Sequence, residues 1–184
     1  VLKIESPDHP DDSRSYAPIR SGWSGYFEIV NRNKTGLALD LKDPAALESL
    51  YSLVKDADVF VENMTPMTKH SLHIDYERLR EINPRLIYAS LSGVGQDSNE
   101  KYYDVIAQAQ SGLLSLTGTP DHPTKIGPSV VDAFSGMTLA FAIAGALFFR
   151  ERTGQGQYLD VAMKSCAMNL LENNLIEYSL THQN

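Results

Sequence analysis

The chain has 184 residues and a net charge of −7, from 16 Lys and Arg against 23 Asp and Glu. An acidic balance of this size argues against general nucleic-acid or anionic-membrane binding, both of which need a basic surface. One cysteine, Cys166, excludes an internal disulfide and points to a reducing compartment.

The start, "VLKIESP", carries neither an initiator Met nor a signal-peptide pattern and opens directly on a strand. It leads to the expectation of a piece of a longer protein. Four short runs rich in Leu, Ile and Val read as strands: "LKIE" (2–5), "LALD" (37–40), "DVFVE" (58–62) and "LIYASLSG" (86–93). Their near-continuous apolarity suits parallel strands covered on both faces.

Between the second and third strands, Asp43 and Pro44 mark a helix start. Leu47, Leu50, Tyr51 and Val54 then recur at i, i+3, i+4 and i+7 as a core-facing stripe. Between the third and fourth, "IDYERLREINP" offers Asp75 as a cap, and Pro84 closes the helix because proline disfavours helical geometry in the residue before it.

The second half reads as mostly helical. "YYDVIAQAQSGLLSLTG" predicts one helix ending near Gly118, and a long helix follows over about 132–152. "TGQGQ" is then a helix-ending glycine and a turn, "YLDVAM" a strand, and "KSCAMNLLENNLIEYSL" one last helix with Cys166 as a small buried apolar residue. Alternating strand and helix units imply an α/β fold, a doubly wound, mostly parallel Rossmann-like sheet with helices on both faces. The longest apolar run, Leu139 to Phe149, has 11 residues, short of the ~20 that a membrane span requires.

The chain has no G-x-G-x-x-G after a strand, no G-x-x-x-x-G-K-[ST], no C-x-x-C and no G-x-S-x-G. His70 and His73 have i, i+3 spacing but no evident third ligand, so they read as solvated histidines and no metal is expected. Asp132, at the mouth of an otherwise uncharged apolar helix, has two readings. One is a helix N-cap. The other is a nucleophile. Val130, Val131 and Phe134 would partly desolvate it and raise its pKa, while the helix dipole, worth ~0.3–2 kcal/mol, would offset about one unit. Such a carboxylate would be ionised at neutral pH yet weakly solvated, as a nucleophile must be.

Several ordered blocks carry more information. "LKIESPDHPDDSRSYAP", "NRNKTGLALDLKDP", "DADVFVENMTP", "YERLREINPRLIYASLSGVGQ", "YDVIAQAQSGLLSLTG" and "RTGQGQYLDVAM" resemble, in order and spacing, the class III CoA-transferases. That superfamily includes formyl-CoA and carnitine CoA-transferases and the α-methylacyl-CoA racemases. The resemblance runs from Leu2 to about Leu171. It implies an incomplete large CoA-binding α/β domain over 1–184, lacking an N-terminal strand and a C-terminal small domain, within an interlocked homodimer. A cytoplasmic location is expected, or a mitochondrial or peroxisomal one in a eukaryote.

The resemblance makes Asp132 the nucleophile, which forms aspartyl anhydride and aspartyl-CoA thioester intermediates. Coenzyme A or acyl-CoA is then a substrate rather than a tightly bound cofactor, with a carboxylic acid as the second small molecule. CoA contacts carry over to Val30, Asn31, Arg32 and Asn33 before the second strand and to Asn63, Met64 and Thr65 at the "VEN" strand end. Lys101, Tyr102, Tyr103 and Asp104 carry over as a pantetheine-channel segment. Arg32, Lys34 and Lys101 offer cations for a CoA phosphate.

This chain departs from the family pattern in places. Ser71 stands where many members carry arginine, His73 where glycine is usual, and Ser6 and Pro7 where some have a phosphate-binding arginine. A racemase and a non-catalytic CoA-binding scaffold are the alternatives. Racemases carry a histidine base where this chain has Tyr103, and tyrosine, with a pKa near 10, is a poor base at neutral pH.

Overall fold

The computed structural model describes residues 1–182. In chain order the elements are β1 (Leu2–Glu5), β2 (Ile19–Arg20), β3 (Trp23–Ser24), α1 (Gly25–Asn31), β4 (Thr35–Ala38), α2 (Pro44–Lys55), β5 (Val59–Glu62), α3 (Pro66–Ser71) and α4 (Tyr76–Ile82). They continue with β6 (Ile87–Ser92), α5 (Asp104–Ser111), β7 (Gly118–Thr119), β8 (His122–Pro123), α6 (Val130–Thr153), β9 (Gln157–Ala162), α7 (Met163–Asn169) and α8 (Asn173–Thr181). The fold is α/β with parallel sheets, as the strand–helix alternation predicts. The chain forms two compact units, Val1–Leu53 and Val54–Asn184, and their boundary falls inside α2.

In the first unit β1 and β4 pair in parallel, Leu2 opposite Thr35 and Glu5 opposite Ala38. The second strand therefore lies earlier than the expected 37–40. Asp40 is a turn residue instead: its side chain accepts from the Lys42 N–H at 3.0 Å, and its carbonyl accepts from Asp43 N–H at 2.9 Å. Behind β1, Glu5 accepts both arms of the Arg14 guanidinium, at 2.9 and 3.0 Å, and Lys3 bonds Asp11 at 2.7 Å. The Arg14 bond pulls Glu5 down to about 2. Burial pushes Asp11 up, but the bonds from Lys3 and Ser13 prevail and bring it to about 2.

In the second unit β5, β6 and β9 form a parallel sheet in that order, with β6 central. Strand periodicity divides its residues between two faces. Ala89, Leu91, Val59, Leu159 and Val161 pack with Phe134, Leu139 and Ile143 of α6. On the opposite face Phe60, Tyr88 and Tyr158 form an aromatic row with Tyr76 of α4, ring centroids 5.1–5.8 Å apart. Helices cover both faces. Cys166 is buried among the α6-side residues, as expected of a small apolar group.

Two expected helices are each divided. Gly112 adopts φ 93°, a left-handed conformation that ends α5 at Ser111, and a 3₁₀ turn over Leu113–Leu116 follows. The final helix breaks at 170–172, where Glu172 has φ 40°. The break lets Leu171 enter a buried cluster with Ala107, Leu113, Val131, Met163 and Ala167.

The α6 helix has 24 residues, long and apolar enough by length and composition to cross a membrane, although its longest uninterrupted apolar run is the 11 residues read from the sequence. Its stripe Val131, Ser135, Leu139, Ala146 and Arg150 is buried, and it packs on β6, β9, α5 and α7 in the manner of a core helix. Its other side bares Met137, Phe141 and Phe148, which are 72%, 83% and 67% exposed.

Candidate active site

Asp132 is the third residue of α6, and the helix N-cap is Ser129. The N-cap reading of Asp132 therefore fails on position. Ser129 makes no side-chain capping bond either. The carboxylate of Asp104, the first residue of α5, does that work from another helix. Its Oδ1 accepts from the N–H of Val131 at 2.8 Å and of Asp132 at 3.2 Å, the two donors that an N-cap side chain ordinarily satisfies. Fully buried Val131 anchors this turn among Ala107, Met163, Ala167 and Leu171.

The Asp132 carboxylate accepts no hydrogen bond from any described residue. Partial burial, then the negative charge of Asp104, push its pKa above the ordinary carboxylate value. The expectation of a nearly dry group is corrected: on this chain Asp132 is solvent-exposed. Two open hollows lie in the first unit, one lined by 8–12 with Arg14 and Ser15, the other by Arg14, 22–24 and Phe27. Neither includes Asp132.

The remaining candidates divide between the units. In the first, Val30 and Asn31 end α1, Arg32 is exposed, and Asn33 turns the chain at φ 65°. The Asn31 side chain bonds the Phe27 carbonyl at 3.0 Å and accepts from Lys34 Nζ at 3.1 Å.

In the second unit, Asn63, Met64 and Thr65 leave the carboxyl end of β5, the edge where open parallel sheets bind ligands. Thr65 caps α3, accepting from Thr68 N–H at 3.3 Å. This loop is braced by a polar group that nothing in the sequence marks. Buried Lys69 donates to Glu62 at 3.0 Å, to Ser90 at 3.1 Å and to Gln96. Glu62 also accepts from Met64 N–H at 2.7 Å. Every donor of this buried ammonium is matched, as its burial demands.

Lys101 and Tyr103 are exposed on the segment that enters α5, and Tyr102 hydrogen-bonds Gln110 at 2.6 Å. Gly93, just past β6, lets that segment approach: a Cβ there would sit 2.5 Å from Tyr102 Cβ. Asp104, expected in the channel wall with Lys101 to Tyr103, is buried with both carboxylate oxygens engaged by the fold. Its Oδ2 accepts from Gln108 Nε2 at 2.6 Å. The sequence reading missed Gln108. Its position four residues after Asp104 on one helix face was the available signal.

The departure at His73 has a structural counterpart. Ile74 N–H bonds the Lys69 carbonyl at 3.0 Å and His73 N–H the His70 carbonyl at 3.1 Å, a Schellman closure of α3 with His73 at φ 55°. Glycine suits such a position best.

The whole chain, residues 1–184, matches the family described as CoA-transferase family III. It is 43% identical to the acetyl-CoA:oxalate CoA-transferase of Acetobacter aceti, over 98% of this chain and 48% of that protein. It is 41% identical to the succinyl-CoA:mesaconate CoA-transferase of Haloarcula hispanica, over 97% and 48%. The fold superposes on the crystal structure of a CAIB/BAIF family protein from Brucella suis with a TM-score of 0.91. That match has 35% identity and covers 100% of this chain and 50% of the other. The chain belongs to CoA-transferase family III. It spans about half the length of the curated relatives it matches.

Proposed function

We propose that the full-length protein moves CoA from an acyl-CoA thioester to a carboxylic acid, with Asp132 as the nucleophile. One observation carries the reading: Asp132 presents a carboxylate that no described residue hydrogen-bonds, at the leading end of a helix, with its acid weakened by partial burial and by Asp104. A weaker acid has a more basic, more nucleophilic conjugate carboxylate.

An Asp132 oxygen attacks the thioester carbonyl, and the C–S bond breaks to release CoA thiolate and leave an acyl-aspartyl anhydride. The thiolate attacks the aspartyl carbonyl, which frees the donor acid and forms an aspartyl-CoA thioester. The acceptor carboxylate attacks that thioester to form a second anhydride. Returning thiolate then takes the new acyl group and restores Asp132. Each intermediate is about as activated as a thioester, so the exchange stays reversible. Anhydrides hydrolyse, so the assembled site must exclude water. Because Asp132 is exposed on this chain, the proposed mechanism calls for that cover from other parts of the full-length assembly.

Tyr103, where racemases carry histidine, favours transfer over α-proton exchange. Asn63 to Thr65 and Lys101 to Tyr103 are the CoA contacts proposed on the second unit, and Val30 to Asn33 those on the first. The two relatives named above carry the names of dicarboxylic acids, oxalate and mesaconate, and acids of that class are the first acceptors to test. A homodimer is the proposed assembly, supported by the bare apolar side of α6. Sedimentation of the full-length protein at twice its chain mass is the expected result.

The functional test mixes full-length protein with a panel of acyl-CoAs and acids. Mass spectrometry is expected to find acyl or CoA adducts on Asp132, and Asp132→Ala to abolish transfer while the circular dichroism spectrum is unchanged. Undiminished turnover in that variant rules out the nucleophile.

A further inference from the structure

We infer that Asp104 is a positioning residue for the transfer reaction: from the first turn of α5 it holds the first turn of α6, and with it Asp132, in the attacking geometry, with Gln108 as the strut. The inference deepens the proposed function and rests on Asp132 being the nucleophile.

The geometry has three parts. First, α6 lacks a cap of its own, since Ser129 makes no side-chain bond and Pro128 precedes it. The N–H groups of Val131 and Asp132 depend on one oxygen of a residue 28 positions upstream of the nucleophile. Second, Gln108 ties both approaches to the site together. Its amide N–H reaches Asp104 Oδ2 at 2.6 Å, and its carbonyl oxygen accepts from Ile126 N–H at 2.8 Å on the loop that leads into α6. Gln108 is 0% and Asp104 7% exposed, so neither can exchange a partner for water without moving.

Third, Asp104 makes no ion pair among the described residues and is compensated by the positive end of α6. Asp132 stands at the same end. The buried carboxylate therefore takes up the N–H dipoles that would otherwise acidify the nucleophile, and adds a like charge beside it. Capping alone needed only a serine or threonine side chain at 129. A charged cap on the first residue of α5 links α6 to the segment 101–103, so a displacement of that segment moves Asp132 too.

The test measures single-turnover acylation of Asp132 by acyl-CoA, CoA binding and melting temperature in the full-length enzyme. The variants are Asp104→Asn, Gln108→Glu and the two combined. Asp104→Asn keeps an oxygen for α6 but sets its amide N–H₂ against that of Gln108. It is expected to slow acylation about 10- to 100-fold, with the CoA dissociation constant within about threefold. The double variant restores donor to acceptor at both contacts. The amide introduced at position 104 donates to the carboxylate introduced at 108, whose other oxygen still accepts from Ile126 N–H. It is expected to recover the melting temperature and at least part of the rate, which also covers the case in which Asp104→Asn alone does not fold. Normal acylation per folded molecule in Asp104→Asn, or in the double variant no recovery of rate despite a restored melting temperature, overturns the inference and leaves Asp132 in place. No adduct on Asp132 in the unmodified enzyme overturns the reading beneath it.

Discussion

The two ends of α6 handle charge in opposite ways. At the C-terminal end the Arg150 guanidinium is buried and reaches Asp58 Oδ1 at 2.7 Å, the Asp58 carbonyl at 3.2 Å and the Arg85 carbonyl at 3.4 Å. A cation sits at the negative end of the helix dipole and is paired with a carboxylate. At the N-terminal end two carboxylates stand together, but the backbone donors of Val131 and Asp132 both go to Asp104, and the Asp132 carboxylate accepts no hydrogen bond from a described residue. The first arrangement lowers the energy of the folded chain. The second leaves an anion beside a like charge at some expense to stability, an arrangement common at functional sites. With Asp132 as the proposed nucleophile, one helix carries a structural end and a chemical end.

Substitutions at the two ends should separate activity from stability. The largest effect is expected at the chemical end: Asp132→Asn in the full-length protein should lower turnover by a factor of about a thousand or more, because the proposed nucleophile is gone. Its melting temperature should hold or rise. Arg150→Ala should do the reverse, lowering the unfolding free energy by about 2–3 kcal/mol through the lost charge-assisted bonds. Transfer per folded molecule should stay near normal, as read by urea unfolding alongside an activity assay. A variant at either end that shifts both quantities equally would erase the distinction.

The smallest effect depends on pH. Asp132 is harder to ionise in the folded than in the unfolded chain. Its ionisation therefore works against folding, with no penalty below the ordinary carboxylate range and a growing one as pH rises through the raised value. Urea unfolding of Asp132→Asn and its parent should coincide near pH 3 and separate by neutral pH, the variant being the more stable. Glu5 and Asp11 in the first unit run the other way. Drawn down to about 2 by Arg14 and Lys3, they stabilise that unit above the ordinary carboxylate range, and the contribution fades as pH falls toward 2. Curves for Asp132→Asn and its parent that stay parallel from pH 3 to 7 would mean that the Asp132 carboxylate is fully solvated.

Much of the architecture was legible along the chain because its signals are local. Asp43 with Pro44 opened α2, Asp75 and Pro84 bounded α4, and the apolar runs at 2–5, 58–62 and 86–93 matched β1, β5 and β6 to within a residue at either end. Two short helices were missed although their caps were readable. Ser24 accepts from Phe27 N–H at 3.1 Å to start α1, and Thr65 with Pro66 starts α3. The breaks at Gly112 and Glu172 were hidden by continuous apolar periodicity. What divides those helices is the place Leu113 and Leu171 find in one buried cluster.

The sequence alone determined the order of strands and helices, the position of Asp132 near the start of a long apolar helix, and the family, because propensity, capping and block order reside in neighbouring residues. Tertiary structure alone decided that the cap of that helix is Asp104, that Gln108 braces it, and that Asp132 is exposed on this chain. Those facts depend on which side chains meet across 18 to 28 positions. Only the packing of α5 and α7 against α6 brings those side chains together.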